Sequence, residues 1–368
     1  MKNSLILTCC FLSLAISTLS AQSDSSWQEK PSITIFGFLD TYYIYDFSRP
    51  QGNVRQDFLF NHNRHHEFNF NLALIKINVQ STKYRANLAW QSGTYVSDNY
   101  VQEASIIQNI HEANIGISLN NANTLWLDAG IMPSHIGIES AVSSENWTLT
   151  RSLAAENSPY FMAGAKLSYN PNDAWEISLL ALNGWQRIQR VTGNSLLSAG
   201  SQLRYTPSKN LLLNWSTFVG TDDPDISRRI RVFNNFYGQF EITDRIGLIA
   251  GFDLGLQQNN DQTGLSQTWL SPLLIGRYQI SDQWRLAARA EYYQDPNEVI
   301  VITDQQQGFE TLGFSLNLDY QPVTSLFCRL EVRNLRSSTE IFESPSGISQ
   351  NNIFVALSMA MQLSKSVY

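Results

Sequence analysis

The sequence predicts an all-β protein, specifically a transmembrane up-and-down antiparallel β-barrel of about 16 strands. Two patterns predict this fold: apolar and polar residues alternate along many segments, and the connections between those segments alternate between long and short. In addition, no segment after position 21 is apolar for long enough to form a transmembrane helix. Since a bilayer offers no hydrogen-bond partners to the backbone, strands that cross it must close into a barrel.

The N-terminal residues are typical of a secretory signal peptide, which we place at 1–21. Lys2 provides a positive start, and residues 5–16 form an apolar core. Leu19-Ser20-Ala21 then forms a small-residue cleavage site. The mature protein is therefore expected in an exported location.

The mature chain is divided into a polar lead at 22–31 and the barrel at 32–368. Cys9 and Cys10 leave with the signal peptide, so Cys328 remains alone and no internal disulfide can form. The formal net charge of −7 and the lack of a basic run argue against a nucleic-acid partner. Together these features predict localisation in the outer membrane of a Gram-negative bacterium.

Strand periodicity identifies each element of the barrel in turn. Near Ile75 the alternation changes phase, and we expect a β-bulge there. The predicted strands cover about 32–46, 65–79, 84–91, 112–119, 125–131, 160–169, 174–185, 197–205, 210–220, 230–242, 245–257, 268–280, 284–293, 310–320, 326–334 and 351–363.

Aromatic residues cluster at the strand ends that border the short turns. Four tyrosines end a strand just before a short turn, and two tryptophans open a strand just after one. All share the phase of the apolar face, which is typical of the aromatic girdle at a membrane surface. The predicted girdle consists of Tyr169, Trp175, Tyr205, Tyr278, Trp284 and Tyr320.

The opposite face of the strands carries charged residues. Such charges are costly in a dry core and are solvated in a water-filled lumen, so the sequence predicts a wet lumen. The predicted pore-lining residues are Asp40, Glu67, Lys83, Arg85, Asp128, Arg204, Arg277, Arg285, Arg289, Glu291, Arg329, Glu331 and Arg333.

The long connection at 133–158 is the third of the long connections and the candidate constriction. We expect a short helix in it, with Ser143 or Ser144 as N-cap. Its apolar residues need a wall to pack on, which favours a loop folded into the lumen; the alternative is an external cap over the barrel mouth. The candidate site residues of this loop are His135, Glu139, Glu145, Trp147, Arg151 and Glu156.

Charges on this connection could create a transverse field across a pore. In this hypothesis the three glutamates of the loop face the arginines of the later strands and favour polar solutes. The alternative is that the charges merely solvate a wide lumen and compensate their own neighbours.

Metal and enzyme sites are not predicted. His62, His65 and His66 lack a fixed scaffold, and His135 with Glu139 offers only two ligands. The acidic turn Asp222-Asp223-Pro224-Asp225 is more typical of a surface loop than of a calcium site. No phosphate loop, nucleophile elbow or paired-cysteine motif is present, so we expect no enzymatic activity and no cofactor.

Four stretches resemble the OmpL-like putative beta-barrel porin-2 family of bacterial outer membranes. They are FGFLDTYYIYDFSRP (36–50), NHNRHHEFNFNLA (61–73), the central stretch 125–169 and LNGWQ (182–186). The resemblance implies an outer-membrane barrel with a porin role. One departure is that polar residues at 362, 364 and 366 interrupt the alternation expected before a C-terminal aromatic residue, here Tyr368. Either the last strand stops near Leu363 with a short tail, or its register differs from the one expected.

The sequence therefore predicts a porin that passes small hydrophilic solutes or ions by passive diffusion. The alternative is a barrel with a closed lumen whose loops bind a glycan, another ligand or a surface partner. Expected partners are outer-membrane lipid and lipopolysaccharide, small hydrophilic solutes and, as in general porins, two further copies in a homotrimer.

Overall fold

A computed structural model of the chain describes residues 25–303, 307–345 and 347–367. The predicted signal peptide and Tyr368 lie outside these residues. Within them, sixteen antiparallel strands close into a barrel, and a separate two-stranded hairpin lies in the last long connection. The predicted fold class and strand number are confirmed. No helix in the described part of the chain is long and apolar enough to cross a membrane.

The strands follow the alternation of the sequence. Barrel strands are β1 (Ser32–Asp46), β2 (Phe68–Gln80), β3 (Tyr84–Ser92), β4 (Ile110–Ser118), β5 (Leu125–Pro133), β6 (Phe161–Asn172), β7 (Trp175–Leu182), β8 (Ser198–Ser208), β9 (Leu211–Gly220), β10 (Arg231–Glu241), β11 (Ile246–Gln258), β12 (Leu265–Gln279), β13 (Trp284–Asp295), β14 (Phe309–Val323), β15 (Leu326–Ser337) and β18 (Asn351–Ser366). The hairpin consists of β16 (Phe342–Ser344) and β17 (Gly347–Ser349).

Helical turns occur only in the connections and beside β1, within the described residues. The α-helical ones are α1 (Thr94–Asn99), α2 (Ser105–Gln108) and α3 (Leu153–Glu156). The 3₁₀ turns are Ser25–Gln28, Gln51–Asn53, Ser143–Glu145 and Asp225–Ser227. We call the barrel end with the long connections the long-loop end and the other the short-turn end.

The two faces of the sheet separate apolar from polar side chains. On β14, Leu312, Phe314 and Leu316 are 41–53% exposed, whereas Asn317 and Asp319 of the opposite phase are 0–5% exposed. Exposed apolar side chains facing outward and covered polar ones facing inward are the reverse of a soluble barrel. This arrangement suits a surrounding lipid phase.

The β-bulge lies at Asn71 rather than near Ile75. Asp40 is opposite Leu72 and Thr41 is opposite Phe70, so Asn71 is the extra residue on β2. Our placement near Ile75 is wrong because the phase already changes at the buried pair 71–72. The bulged Asn71 side chain accepts a hydrogen bond from the backbone N–H of residue 62 at 2.8 Å, so the bulge anchors the first long connection.

The last strand extends to Ser366, beyond its predicted end at 363. It pairs with β1 from Asp46 opposite Phe354 to Thr34 opposite Ser366. Leu363 faces outward with 57% exposure, so the polar residues at even positions belong to the inward face. They therefore continue the alternation, and the departure inferred from the sequence arose from assigning the wrong face to this strand.

The inward face becomes apolar near the long-loop end. Side chains of the long connections, among them Phe58, Leu59, Val301 and Phe342, pack against it. The prediction of a polar, water-filled inner face is wrong for this part of the barrel. Apolar side chains exclude water here because burial of each one stabilises the fold by about 1.5–3 kcal/mol. The barrel residues of this inner apolar layer are Met132, Met162, Leu180, Leu182, Phe218, Phe233, Trp269, Tyr293, Phe309 and Leu335.

We expect Gly255→Ala to destabilise the barrel. Gly255 lies opposite Trp269 on the neighbouring strand, and a Cβ there would overlap the indole ring. Overpacking of this kind costs about 1–3 kcal/mol. The unfolding temperature, read from the gel mobility of heated detergent samples, should fall relative to Gly276→Ala, whose added methyl would meet no atom within 4 Å. Equal unfolding temperatures for the two variants would show that the inner apolar layer tolerates repacking at this point.

Candidate functional site

The central connection, residues 134–160, contains two short helical turns separated by irregular chain. The first is the 3₁₀ turn Ser143–Glu145, and the second is α3, where the Ser152 hydroxyl accepts a hydrogen bond from the Ala155 N–H at 3.2 Å. The prediction of one helix through this segment is therefore wrong. The chain between the turns includes N–H groups that bond to side chains of the barrel, at Leu149 and Thr150.

Four charged residues of β13 and β15 form a buried ionic network beneath the central connection. Arg289 lies 3.2 Å from Glu291 and 3.0 Å from Glu331. Arg333 lies 2.7 Å from Glu291. The sequence predicts that water solvates these charges, but their side chains are at most 1% exposed. Because an unpaired buried charge is strongly destabilising, the four groups stabilise the barrel wall only as a set.

The backbone of the central connection completes this network. The Thr150 N–H donates to Glu331 at 2.6 Å, and the Leu153 N–H donates to Glu291 at 2.7 Å. In return, the carbonyl groups of Thr150 and Arg151 accept hydrogen bonds of 2.6 and 2.9 Å from the two network arginines. Hydrogen bonds to charged groups are stronger than neutral ones, so the connection is firmly held at this point.

Arg329 holds the preceding 3₁₀ turn in the same manner. Its guanidinium donates to the Ser143 carbonyl at 2.5 Å and to the Asn146 carbonyl at 3.1 Å. It also forms a two-pronged ion pair with Asp319, at 2.7 and 3.1 Å. Arg329 thus links the barrel wall to the connection through a compensated charge.

Two glycines of the barrel wall provide space for side chains of the central connection. A Cβ at Gly200 would lie 2.8 Å from Nε2 of His135, and one at Gly247 would lie 2.6 Å from the Trp147 ring. Both distances are shorter than a nonbonded contact allows. The Trp147 ring also receives the Arg277 guanidinium at 4.3 Å. Glycines on the inward face of a strand could have indicated in the sequence where the central connection contacts the wall, but composition and periodicity did not single them out.

Residues 148–163 are all buried, which makes sixteen consecutive residues without an exposed face. Leu153 belongs to the same cluster as the inner apolar layer, whereas Val142 and Tyr160 pack with Tyr95 and Tyr100 of the second long connection. Other parts of the protein therefore surround the second half of the central connection.

Glu156 joins the central connection to the first long connection. Its carboxylate accepts hydrogen bonds from the Phe60 N–H at 2.9 Å and from the Tyr160 hydroxyl at 2.8 Å. Burial raises the pKa of Glu156 above its ordinary value, although Arg151 opposes this shift. Arg151 itself lies over the Tyr160 ring at 3.6 Å.

The hypothesis of a transverse field requires the glutamates of the central connection to face the arginines of the later strands. Among the described residues, one ion pair joins these two groups. Glu139 lies 3.8 Å from Arg289, while Glu145 is exposed and forms no ion pair there. The strand arginines pair mainly with carboxylates of the barrel wall. Charges that are neutralised within one wall contribute less to a field across a lumen, so the field remains a prediction.

Other predicted pore-lining charges also form pairs along the wall. Arg85 binds Asp128 through two hydrogen bonds of 2.7 and 2.5 Å. Arg277 binds Glu241 at 2.9 Å, and Arg285 donates to an amide side chain on the next strand. These residues lie toward the short-turn end, where the side chains other than that of the buried Asp128 are partly exposed.

The remaining predicted charges have separate surroundings. Glu67 precedes β2 and accepts a hydrogen bond of 2.8 Å from Asn69. Lys83 lies in the turn between β2 and β3 and donates to the Asn120 carbonyl at 3.2 Å. Arg204 is exposed on β8 and forms no ion pair with the residues that the structure describes.

Sequence reasoning missed several inward ionic residues that share the polar phase of their strands. Lys76 pairs with Glu112 at 2.5 Å, and Glu176 lies 3.9 Å from Lys166. Their alternation with apolar neighbours could have identified them, as it did Arg85. The misplaced bulge inverted only residues 72–74 of β2, and Lys76 lies between the exposed Ile75 and Ile77.

The predicted girdle residues lie near the short-turn end. The rings of Trp175 and Tyr205 are 4.3 Å apart, and those of Trp284 and Tyr320 are 4.6 Å apart, each pair joining opposite positions on neighbouring strands. The other two tyrosines of the set are 44–45% exposed. A role at the membrane surface remains a prediction for all six.

The three histidines of the first long connection bind different partners. His62 Nε2 lies 2.9 Å from an Asp40 carboxylate oxygen, and His65 Nδ1 accepts a backbone hydrogen bond of 2.9 Å. His66 bonds to the Tyr43 hydroxyl at 2.7 Å. No group of three or more potential metal ligands occurs among the described residues.

The acidic turn in the connection between β9 and β10 also finds its partners within the protein. Its three aspartates each approach one arginine, and two of these ion pairs lie within the turn region itself. The pairs are Asp222 with Arg187, Asp223 with Arg229, and Asp225 with Arg228.

Comparison with protein families identifies the barrel. The sequence model of the family described as "Putative beta-barrel porin-2, OmpL-like" matches residues 32–363, nearly the whole chain. The chain belongs to this family. It is therefore an outer-membrane porin of the Gram-negative type, as the resemblance of the sequence implied. Comparison with curated protein sequences gave no match.

Solved porin structures share the fold of this family member. The outer membrane channel DcaP of Acinetobacter baumannii has a TM-score of 0.62 at 11% identity, with 91% of this chain and 98% of that one covered. The anion-selective porin from Comamonas acidovorans has a TM-score of 0.61 at 9% identity, with 91% and 100% covered. The trimer form of OmpT of Vibrio cholerae has a TM-score of 0.58 at 8% identity, with the same coverage.

We expect acid to weaken the attachment of the central connection through His135. Its Nε2–H donates to the Thr217 carbonyl at 2.8 Å, its Nδ1 is buried without a partner among the described residues, and burial lowers its pKa to about 4. In the unfolded chain the imidazole of His135 binds a proton near pH 6.5. Its contribution to the free energy of unfolding is therefore fully present above that pH and is lost as the pH falls toward 4. The loss is on the order of 3 kcal/mol.

The unfolding temperature of the refolded porin at pH 7 and pH 4.5 measures this effect. His135→Gln keeps an N–H donor but cannot gain a proton, so its acid-induced decrease should be smaller than that of the wild type. His66→Gln, which replaces an exposed imidazole, is the matched control and should behave as the wild type does. An unchanged pH dependence in His135→Gln would contradict the assignment.

Proposed function

We propose that this porin is a passive diffusion channel for small hydrophilic solutes and that the central connection folds into the barrel and limits their passage. The observation that carries the proposal is the bonding of the connection's backbone to inward side chains of β13 and β15. A segment that contacts inward residues of the barrel wall occupies space that a solute would otherwise cross. Membership in a porin family supports a non-enzymatic channel.

Partly exposed ionic pairs toward the short-turn end support a hydrophilic pathway. They place charges of both signs along the wall, including Arg277 with Glu241 and Lys166 with Glu176. Such a surface suits polar solutes and water, because charged groups retain part of their hydration there. We therefore place the polar part of the pathway beside these strands.

A second candidate function is a barrel with a closed lumen that opens only when the central connection moves. The burial of all residues from 148 to 163 favours it, since a loop along one side of a wide pore would expose one face to water. In this case ligand binding by the long connections would precede passage. The two candidates differ in the conductance of the wild-type protein.

A homotrimer is also proposed, because OmpT of Vibrio cholerae is described in a trimer form. The outward face of the present barrel has a groove of about 980 Å³ near the closure of the sheet, lined among others by Phe70, Leu330, Leu357 and Met359. Apolar area of this kind suits another protomer or lipid. The mass of the unheated protein in detergent, measured by light scattering, should equal three chains; a single-chain mass would exclude a stable trimer.

We expect deletion of Ser143–Asn157 to increase the single-channel conductance in a planar bilayer, because it removes the segment bonded to the inward wall. Stable wild-type openings that become larger on deletion would support a constricted diffusion channel. A silent wild type with a conducting deletion variant would instead support the closed barrel. Equal conductance of both proteins would contradict a role of the connection in passage.

A pair of substitutions on β15 tests the same attachment without deletion. Arg333→Ala leaves Glu291 with one arginine fewer and removes the hydrogen bond to the connection. The free energy of unfolding should fall by about 3–5 kcal/mol, and the less firmly held connection should raise the open-channel current noise. Arg336→Ala is the matched control, because Arg336 lies on the same strand and is exposed. The same noise in both variants would argue against an attachment through Arg333.

A further inference from the structure

Six long connections meet around a cavity of about 340 Å³ at the long-loop end, which we call the vestibule. Its floor includes Glu156, Asn157 and Ser158 of the central connection, and its wall includes Trp185 and Arg187 of the fourth long connection. A mixed polar and aromatic lining in a concave site is typical of small-molecule binding. The question is which ligand chemistry this lining fits.

The carboxylates of the vestibule already have partners. Asp98 forms a two-pronged ion pair with Arg64 at 2.8 and 2.9 Å, and Glu103 accepts two backbone N–H groups at 2.8 and 3.2 Å. Asp222 accepts the Trp185 backbone N–H at 2.9 Å and has Arg187 at 3.8 Å. Glu156 is bonded within the floor, as described above. No carboxylate of the lining therefore requires a cationic ligand.

Several neutral or shared donors and acceptors remain available. The Trp185 indole N–H and the terminal nitrogens of Arg187 form no hydrogen bond with described residues. The side-chain oxygens of Asn99 and Asn157 accept no hydrogen bond there either, although their amide nitrogens donate to the backbone. The second arginine of the lining, Arg231, donates two hydrogen bonds to the Gln257 side chain at 3.0 and 2.8 Å. The vestibule thus presents donors and acceptors side by side, and each of its charged side chains already has a partner in the protein.

We propose that the vestibule binds a neutral polyhydroxylated solute of one or two sugar rings. Hydroxyl groups both donate and accept, so they match the paired carboxamide oxygens and guanidinium donors. Aromatic rings beside the polar groups, including Phe60 and Trp185, suit the apolar faces of a sugar. The volume lies near the lower limit of the range of about 300–1,000 Å³ for small-molecule sites, which excludes a long glycan.

This proposal rests on the proposed function, since the site lies at the entrance of the pathway and its floor belongs to the central connection. A bound solute would contact the same segment that limits passage. Binding to the whole protein in detergent does not depend on conductance, so failure of the channel proposal and failure of the binding proposal are distinguishable.

Isothermal titration of the full-length mature protein in detergent tests the vestibule. The probes are glucose, galactose, maltose, sucrose and trehalose, with putrescine and succinate as charged comparisons. We expect saturable binding of at least one sugar. Arg187→Gln and Trp185→Phe should each weaken it at least tenfold, because each removes a donor while leaving a side chain of similar size.

Arg190→Gln is the matched control. Arg190 lies three residues from Arg187 in the same connection, is exposed and does not line the vestibule. It should leave sugar binding unchanged. The proposal is overturned if no sugar binds, if the charged probes alone bind, or if Arg187→Gln and Trp185→Phe bind the sugar as the wild type does. Unchanged unfolding temperatures of the variants would confirm that a loss of binding is local.

Discussion

Closure of the sheet between β1 and β18 is the constraint on which the rest of the structure depends. In a bilayer each unpaired backbone N–H or C=O costs several kcal/mol, so an open sheet edge is excluded. The pairing of thirteen consecutive positions, from Asp46 opposite Phe354 to Thr34 opposite Ser366, removes both edges. Once the sheet is closed, every strand has one face toward lipid and one toward the interior.

The same requirement for partners then shapes the interior. Arginines and glutamates on β13 and β15 cannot remain unpaired where water is excluded, and the central connection supplies the additional hydrogen bonds that they need. The polar wall and the connection thus stabilise each other. Glycines at the points of closest approach, Gly200 and Gly247, permit this contact because they lack a side chain.

In the long-loop half of the barrel, the inner apolar layer forms a packed interior. There, Trp269, Phe233 and their neighbours pack with side chains from the connections, as in the core of a soluble protein. The vestibule lies beside this packed region, at the meeting point of six connections. Packing fixes the connections around it, and a fixed lining is what a selective site requires.

Alternation along each strand and the sorting of long and short connections determined the barrel and its strand number, because period and loop length are properties of the chain itself. The family followed from the resemblance of four sequence stretches. Face assignments were less secure: the bulge at Asn71 inverted residues 72–74 of β2, and the outward face of the last strand is formed by its odd-numbered positions. Which inward charges are solvated and which are buried was decided by the tertiary structure alone. Buried charges of β13 and β15 contact the central connection from more than 130 positions away, as Glu291 contacts Leu153. A local sequence pattern carries no information about such distant partners.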